Sequence, residues 1–169
     1  INEINFIGNK AYICCGFGIV VLDLMKLEIS DTYIIGDNGS YLKINDLTLY
    51  NDKLYAATSK GIYYADYDNK NLVDFSQWTH DTTLIHSELN YSEIETFNNQ
   101  LIANYSRNEY NTDTLFVFDG NKWDYHDFES YSIKREIRAY EDRLAITANY
   151  SIIVLGINNN IIQSYSNDI

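Results

Sequence analysis

The residues best suited to redox or metal chemistry include an adjacent pair of cysteines, whose spacing argues against a reactive role. Cys14 and Cys15 are neighbours, and adjacent side chains of a β-strand point to opposite faces, so a disulfide between them is geometrically disfavoured. The chain has no second cysteine pair to complete a zinc site. We therefore expect both thiols to be reduced and to fill space in a core.

Two of the three histidines follow an aromatic pattern rather than a metal-binding one. His80 and His126 come shortly after Trp78 and Trp123 in corresponding parts of the chain. Neither histidine has a second ligand at a spacing typical of a metal centre. The pattern therefore predicts aromatic packing in equivalent strands, and no metal.

The acidic residues give no sign of an ion site or of catalysis. Residues 66–71 have the D-x-D-x-x-N spacing of a calcium loop, but glycine is missing at the sixth position and glutamate at the twelfth. Carboxylate pairs are uninformative in a chain with 24 acidic residues. Nucleophile-elbow, phosphate-loop and zinc-protease motifs are missing, and the glycines of residues 16–18 lack the third glycine of a dinucleotide loop. We expect a non-enzymatic protein without a cofactor.

Composition narrows the class of partner. The chain has 169 residues, a mass of 19.6 kDa and a net charge of −12, which repels nucleic-acid phosphates and anionic lipid headgroups. No apolar run reaches the roughly 18 residues of a membrane span. The N-terminal residues lack the charged and apolar regions of a signal peptide, so we expect a processed chain or a piece of a longer one. Remaining partners are a protein or a cell-surface glycan.

The elements that position these residues come from one pattern that occurs four times. The copies begin at Ile1, Ile44, Tyr91 and Lys134, and their anchor residues are Ile4, Leu47, Ile94 and Ile137, spaced by 43, 47 and 43 residues. Each copy continues with a two-residue turn: Gly8-Asn9, Asn51-Asp52, Asn98-Asn99 or Glu141-Asp142. The first three turns favour hairpins because Gly and Asn tolerate positive φ, and Glu141-Asp142 is the weakest of the four. A second apolar run and an outer polar-aromatic strand follow; the outer strands are expected at 28–33, 77–80, 122–127 and 161–165.

Within each copy the apolar pattern favours strands, because β-branched and aromatic residues recur with a period of two. One stretch favours a helix instead, since Ile133, Ile137, Tyr140 and Leu144 fall on one helical face; its alignment with three strand-like copies favours a strand. Four-stranded units repeated every 40–50 residues or so are typical of β-propeller blades. A β-sandwich, the alternative, does not predict a repeat at a fixed offset. We predict an all-β propeller segment of four blades, each of four antiparallel strands, in one partial domain with blades at about 1–43, 44–90, 91–133 and 134–169.

The first half of the chain resembles a known family. Residues 15–24 (CGFGIVVLDL), 31–36 (DTYIIG), 60–63 (KGIY) and 71–78 (NLVDFSQW) are similar to the N-terminal β-propeller of PorZ-type proteins, accessory components of the type IX secretion system of Bacteroidota. The family is related to the propeller repeats of two-component regulators. The resemblance implies a binding or scaffolding module in secretion and cell-surface attachment, with a location in the periplasm or at the cell surface, associated with the outer membrane. The alternative is the extracellular ligand-sensing propeller of a hybrid two-component regulator.

Candidate contact residues lie at one expected end of the blades. The third copy has six extra residues, 107–112, between its second and third strands, and the inter-blade segments 36–41 and 80–90 are expected at the same end. Loops on a rigid scaffold are where binding residues concentrate, so Arg107, Tyr110, His80 and His86 are the candidate binding residues. Most tyrosines are expected to pack between blades instead. Exposed edges of the outermost blades predict self-association.

Overall fold

Four antiparallel sheets make up the computed structural model, which describes residues 1–107, 112–126, 134–158 and 160–166. The first sheet contains β1 (Glu3–Ile7), β2 (Lys10–Cys14), β3 (Ile19–Asp23) and β4 (Glu28–Tyr33), and the second β5 (Ile44–Tyr50), β6 (Lys53–Thr58), β7 (Gly61–Asp66) and β8 (Thr79–His80). The third contains β9 (Tyr91–Phe97), β10 (Gln100–Arg107), β11 (Thr112–Phe118) and β12 (Trp123–His126), and the fourth β13 (Lys134–Tyr140), β14 (Arg143–Ala148), β15 (Ser151–Gly156) and β16 (Ile161–Ser166).

In each sheet the strands lie side by side in chain order. The predicted all-β propeller segment of four four-stranded blades is therefore confirmed. The described ranges contain no α-helix, only 3₁₀ turns at Asp37–Gly39 and Phe75–Gln77, and so no helix able to cross a membrane. The chain divides into two compact units, Ile1–Ser92 and Glu93–Ile169.

The stretch with the helical pattern forms strands. β13 pairs with β14, Ile137 opposite Ile146 and Ala139 opposite Leu144. Ile137 of β13 and Leu144 of β14 are both fully buried in the core of the second unit. Two residues at helical spacing can therefore lie on adjacent strands and pack in the same core. Ile133, the first residue of the helical pattern, lies outside the described residues.

The predicted hairpin turns have the backbone that their residues favour. Asn51 and Asp52 have φ of 45° and 59°, and Asn98 and Asn99 have φ of 49° and 57°, the left-handed pair that a type I′ turn requires. Glu141, in the turn with the weakest signal, also adopts a positive φ of 53°. In the second and third copies asparagine and aspartate therefore provide the positive φ that Gly8 provides in the first.

Two predicted segment bounds are corrected. The outer strand expected at 77–80 begins only at Thr79, because the Asp74 carboxylate accepts a 2.9 Å bond from the Ser76 amide and holds a 3₁₀ turn before it. The six extra residues expected to form a loop include strand residues at both ends, since Arg107 ends β10 and pairs with Thr112 of β11. Residues 108–111 lie outside the described part of the chain.

The core of the first unit lies between its two sheets and includes Tyr12, Cys14, Ile19, Ile44, Leu47 and Leu54, all fully buried. The two thiols are free, as expected, and Cys14 has no exposed surface. Burial, followed by the nearby Asp46 and Glu3 carboxylates, raises the pKa of the Cys14 thiol. Cys14 is therefore a packing residue with little thiolate character at neutral pH.

Asparagine side chains connect consecutive copies of the repeat in the first unit. Asn2 Nδ2 donates to the Ile44 carbonyl, and Asn45, at the same position of the next copy, donates to the Tyr91 carbonyl, both at 2.6 Å. Asn5 Nδ2 also donates to the Asp46 carboxylate at 2.9 Å. The amide of each donor satisfies a backbone acceptor at the start of the following copy, a contact that the repeat pattern alone does not indicate.

Candidate functional site

His80, one of the four candidate binding residues, is held in a tight set of contacts at the end of β8. Its ring stacks on Tyr63 with the centroids 4.7 Å apart and the planes inclined by 12°. Nε2 lies 2.8 Å from the Ser87 carbonyl oxygen, which can only accept, so Nε2 carries a proton and donates. Nδ1 lies 3.6 Å from a Glu88 carboxylate oxygen. His80 therefore anchors the segment that follows it.

That segment, residues 81–90, is fixed by its own hydrogen bonds. Asp81 accepts bonds from the Thr83 amide at 3.0 Å and the Thr83 hydroxyl at 2.6 Å. The Tyr91 hydroxyl donates to the Ile85 carbonyl at 2.6 Å. His86 adopts a left-handed φ of 64° and is exposed. The second candidate histidine thus lies on an ordered surface loop.

Gly61 allows this loop to approach the first residue of β7. Its φ is +97°, and a Cβ there would lie 1.8 Å from the Ser87 carbonyl oxygen and 2.5 Å from His80 Nε2. The Gly61 amide donates to the Leu89 carbonyl at 2.7 Å. Only glycine combines this backbone conformation with so close a contact.

His80 also lines a cleft of about 390 Å³ in the first unit. The lining residues are Ile35, Asp37, Asn38, Tyr63, Phe75, Ser76, Trp78 and His80. They come from the segment after β4, from β7, and from the 3₁₀ turn and strand that end the second sheet. The cleft therefore brings Asp37 and Asn38 of the segment 36–41 together with His80, the first residue of the segment 80–90.

Asp37 provides the carboxylate of the cleft. The Tyr63 hydroxyl donates to Asp37 Oδ1 at 3.3 Å. Burial, followed by the Asp37 charge, raises the pKa of Tyr63 to about 12, so the hydroxyl remains a donor at neutral pH. Asp37 begins a turn closed by the Gly39 amide, which donates to the Gly36 carbonyl at 2.9 Å. The turn presents the carboxylate to solvent while Tyr63 holds one of its oxygens.

Aromatic residues form the apolar part of the cleft. Trp78 is buried, donates from Nε1 to the Leu72 carbonyl at 3.1 Å and contacts the Tyr33 ring at a centroid distance of 6.1 Å. Phe75 is 39% exposed at the rim. The cleft thus combines one carboxylate, amide and hydroxyl groups, and an accessible aromatic face, an arrangement suited to non-covalent binding.

The four candidate binding residues lie in different parts of the chain. His80 lines the cleft and His86 lies on the following loop, whereas Arg107 is an exposed residue of the second unit. Tyr110 lies outside the described residues. Within the described ranges, no group of three or more His, Cys, Asp and Glu residues could hold a metal ion.

Asp37 and Phe75 were missed as site residues. Asp37 is one of 24 acidic residues, and only the two glycines that flank its turn distinguish it from the others. Phe75 lies two residues before the outer strand predicted at 77–80 and begins a 3₁₀ turn. Tyr55, Tyr63 and Tyr105 are buried, in line with the predicted packing role, whereas other tyrosines are exposed: Tyr41, Tyr125, Tyr140, Tyr150 and Tyr165.

Comparison with known proteins gives a family match for the first half of the chain. Residues 1–79 match the family model of the N-terminal β-propeller domain of PorZ, of the type IX secretion system. No curated protein matches the chain.

Solved structures share the fold over nearly the whole chain. PorZ, described as an essential bacterial surface component of the type IX secretion system of Porphyromonas gingivalis, aligns with a TM-score of 0.76 at 19% identity over 98% of this chain. The extracellular domain of a putative hybrid two-component system of B. thetaiotaomicron aligns with a TM-score of 0.67 at 18% identity, over 99% of this chain and 22% of its own. The β-propeller domain of Cps50 (Swd1) from Myceliophteria thermophila aligns with a TM-score of 0.61 at 13% identity, over 98% of this chain and 55% of its own. The chain spans only 21% of the PorZ chain. The resemblance found in the sequence is therefore confirmed: residues 1–79 match the N-terminal β-propeller domain of PorZ, and the chain has the β-propeller fold.

Proposed function

We propose that the chain is a non-enzymatic binding and scaffolding part of a PorZ-like component of type IX secretion and cell-surface attachment. The match of residues 1–79 to the PorZ propeller family carries this proposal. The same match supports a location in the periplasm or at the cell surface, associated with the outer membrane. The partner is a protein or a cell-surface glycan.

The chemistry of the cleft supports binding rather than catalysis. His80, the one histidine that lines it, stacks on Tyr63 and donates to a backbone carbonyl, so its protonated nitrogen is engaged in packing the loop. The Tyr63 hydroxyl, with its raised pKa, is a poor nucleophile at neutral pH. These groups orient a ligand without offering it an activated nucleophile.

Deletion of the gene in the source organism tests the role in secretion. We expect proteins that depend on type IX secretion to accumulate inside the cell and to disappear from the surface and the medium. Complementation with the wild-type gene should restore them. Unchanged secretion in the deletion strain would contradict the proposal.

A sensing role is the second candidate, favoured by the shared fold with the extracellular domain of a two-component system. The sequence of the whole gene separates the two functions. A membrane-spanning helix followed by a kinase indicates a sensor, whereas a C-terminal sorting-type β-domain indicates secretion. A sensor would leave secretion intact on deletion and abolish a transcriptional response to its ligand.

Arg107, Tyr110, His80 and His86 remain the proposed partner contacts. Replacing Arg107 and Tyr110 together with alanine should weaken partner binding without unfolding the protein. His86→Ala is the informative histidine variant because the side chain is exposed, whereas His80→Ala would also release residues 81–90. Unchanged affinity in a folded Arg107/Tyr110 double variant would move the contact surface elsewhere.

Exposed apolar side chains on the first sheet support the proposed self-association. Phe6 is 70% exposed on β1 and Ile29 is 66% exposed on β4, which are the two outer strands of that sheet. Exposed apolar residues on edge strands favour association when they form part of a larger apolar patch. Sedimentation at increasing protein concentration should show a rising mass, and a constant monomer mass would contradict the proposal.

A further inference from the structure

We propose that the Asp37 cleft binds an arginine side chain presented by a partner protein. The inference rests on the proposed binding function and names the chemistry that the cleft recognises. The proposal rests on a solvent-facing carboxylate, which accepts from the Tyr63 hydroxyl, and a partly exposed phenylalanine ring that line the same cleft, together with a lining that contains no lysine or arginine.

The charges of the cleft select a cation. Asp37 is its acidic lining residue, and the lining contains no lysine or arginine. Glu88 adds a second carboxylate next to His80, at 3.6 Å from Nδ1. The chain as a whole carries a net charge of −12, which attracts basic partners over the range of a Debye length.

The Asp37 carboxylate is oriented before any ligand arrives. The Tyr63 hydroxyl bonds to Oδ1, and the lone pairs that this one bond does not use can accept from a guanidinium group. Tyr63 itself is fixed by the His80 ring that stacks on it. A carboxylate held in this way forms an ion pair with less loss of side-chain entropy than a mobile surface group would.

The aromatic lining favours arginine over lysine. Phe75 exposes part of its ring at the rim, and a planar guanidinium can stack on an aromatic face while it donates to a carboxylate. Ile35 and Trp78 offer an apolar surface to the methylene stem of the side chain. A volume of about 390 Å³ is at the small end of ligand clefts, and it suits one side chain better than an extended polymer.

The test titrates the 169-residue chain with the peptide acetyl-Gly-Ser-Arg-Ser-Gly-amide and follows the Trp78 indole and Gly39 amide signals by NMR. We expect saturable shifts of both signals, weakened by salt. The same peptide with glutamine in place of arginine should leave them unchanged, and the lysine peptide should bind more weakly than the arginine peptide. Equal shifts with the glutamine peptide would overturn the inference.

Two variants of equal charge locate the site. Asp37→Asn should weaken arginine-peptide binding about tenfold through loss of the charge-assisted bond, while its amide oxygen can still accept from Tyr63. Asp68→Asn removes one carboxylate from an exposed turn of the same unit and should change the affinity by less than about twofold. Equal loss in both variants would show unspecific attraction and refute the site.

A neutral glycan is the competing occupant. Saturable shifts of the same signals with methyl glycosides, insensitive to salt and to Asp37→Asn, together with no arginine binding, would overturn the inference. Peptide binding is measured without secretion, so the two proposals fail separately. Arginine binding in a protein whose deletion leaves secretion intact refutes the secretion role alone.

Discussion

Gly61→Ala is the substitution whose effect the structure defines most sharply. The residue has a φ of +97°, and its new Cβ would lie 1.8 Å from the Ser87 carbonyl oxygen. That atom belongs to the backbone, so relief requires residues 81–90 to move. We expect the first unit to lose stability and the loop to separate from β7.

The magnitude follows from three contributions. An alanine held in this backbone region costs about 1–3 kcal/mol. Movement of the loop breaks the 2.7 Å bond from the Gly61 amide to Leu89 and the 2.8 Å bond from His80 to Ser87, each worth about 1 kcal/mol. The free energy of unfolding should fall by about 3–5 kcal/mol, a large part of the about 5–15 kcal/mol of a typical domain.

Gly16→Ala is the matched control. A Cβ at Gly16 meets no atom within 4 Å, and the residue has no left-handed φ. The same chemical change should therefore alter the free energy of unfolding by no more than about 0.5–1 kcal/mol, with stabilisation as one outcome because alanine restricts the unfolded chain.

The assay is urea unfolding followed by the fluorescence of Trp78, with Trp123 replaced by phenylalanine so that the signal reports the first unit. A change of about 3–5 kcal/mol lowers the urea midpoint by more than about 1 M when the slope is about 1–3 kcal/mol/M. The reasoning is refuted if Gly61→Ala unfolds within 1 kcal/mol of the parent, or if Gly16→Ala is as destabilising as Gly61→Ala.

Three further outcomes are expected. Asn45→Ala should lower the free energy of unfolding, measured in urea, by about 1–3 kcal/mol, because the Tyr91 carbonyl loses its side-chain donor. Asn45→Asp also lacks the amide donor, so it should not restore the stability. Burial raises the pKa of Tyr33, Tyr55 and Tyr63 to about 12 from 10.0, so their contribution to stability is complete below pH 10 and is lost as the pH rises toward 12. Tyrosinate absorbance should therefore titrate at higher pH in the native than in the urea-unfolded protein, and coincident curves would contradict this. The Cys14 thiol, buried and with a raised pKa, should react with a thiol reagent only on unfolding, and rapid modification of both cysteines in the native protein would contradict its burial.

The repeat could be predicted from the sequence because the residues that define it determine the local backbone conformation. Asn51-Asp52 and Asn98-Asn99 specify their hairpins through backbone preference alone, and the 43-residue spacing placed the first strands of the sheets. The helical pattern at Ile137 and Leu144 was overruled correctly, since strand pairing buries both residues in one core.

The cleft could not be predicted from the sequence because its residues come together only through tertiary contacts. Asp37 becomes a site residue because the hydroxyl of Tyr63, 26 positions away in the chain, donates to its carboxylate. His80 was selected as a partner contact, yet its ring is committed to Tyr63 and Ser87. The local sequence of a polar turn does not indicate which carboxylate a distant side chain will orient.

The asparagine links between copies have a consequence for how such a chain changes in evolution. Asn2 and Asn45 each donate to the carbonyl of the first residue of the next copy. A copy of this type therefore contains the amide that donates to the following copy and the carbonyl that accepts from the preceding one. Duplicating or deleting one whole copy of this type would preserve every such link, whereas a cut inside a copy would break one. The third and fourth copies carry Ser92 and Arg135 at this position, so they lack the asparagine donor. The number of blades can then vary in steps of one whole copy, as in other repeat proteins.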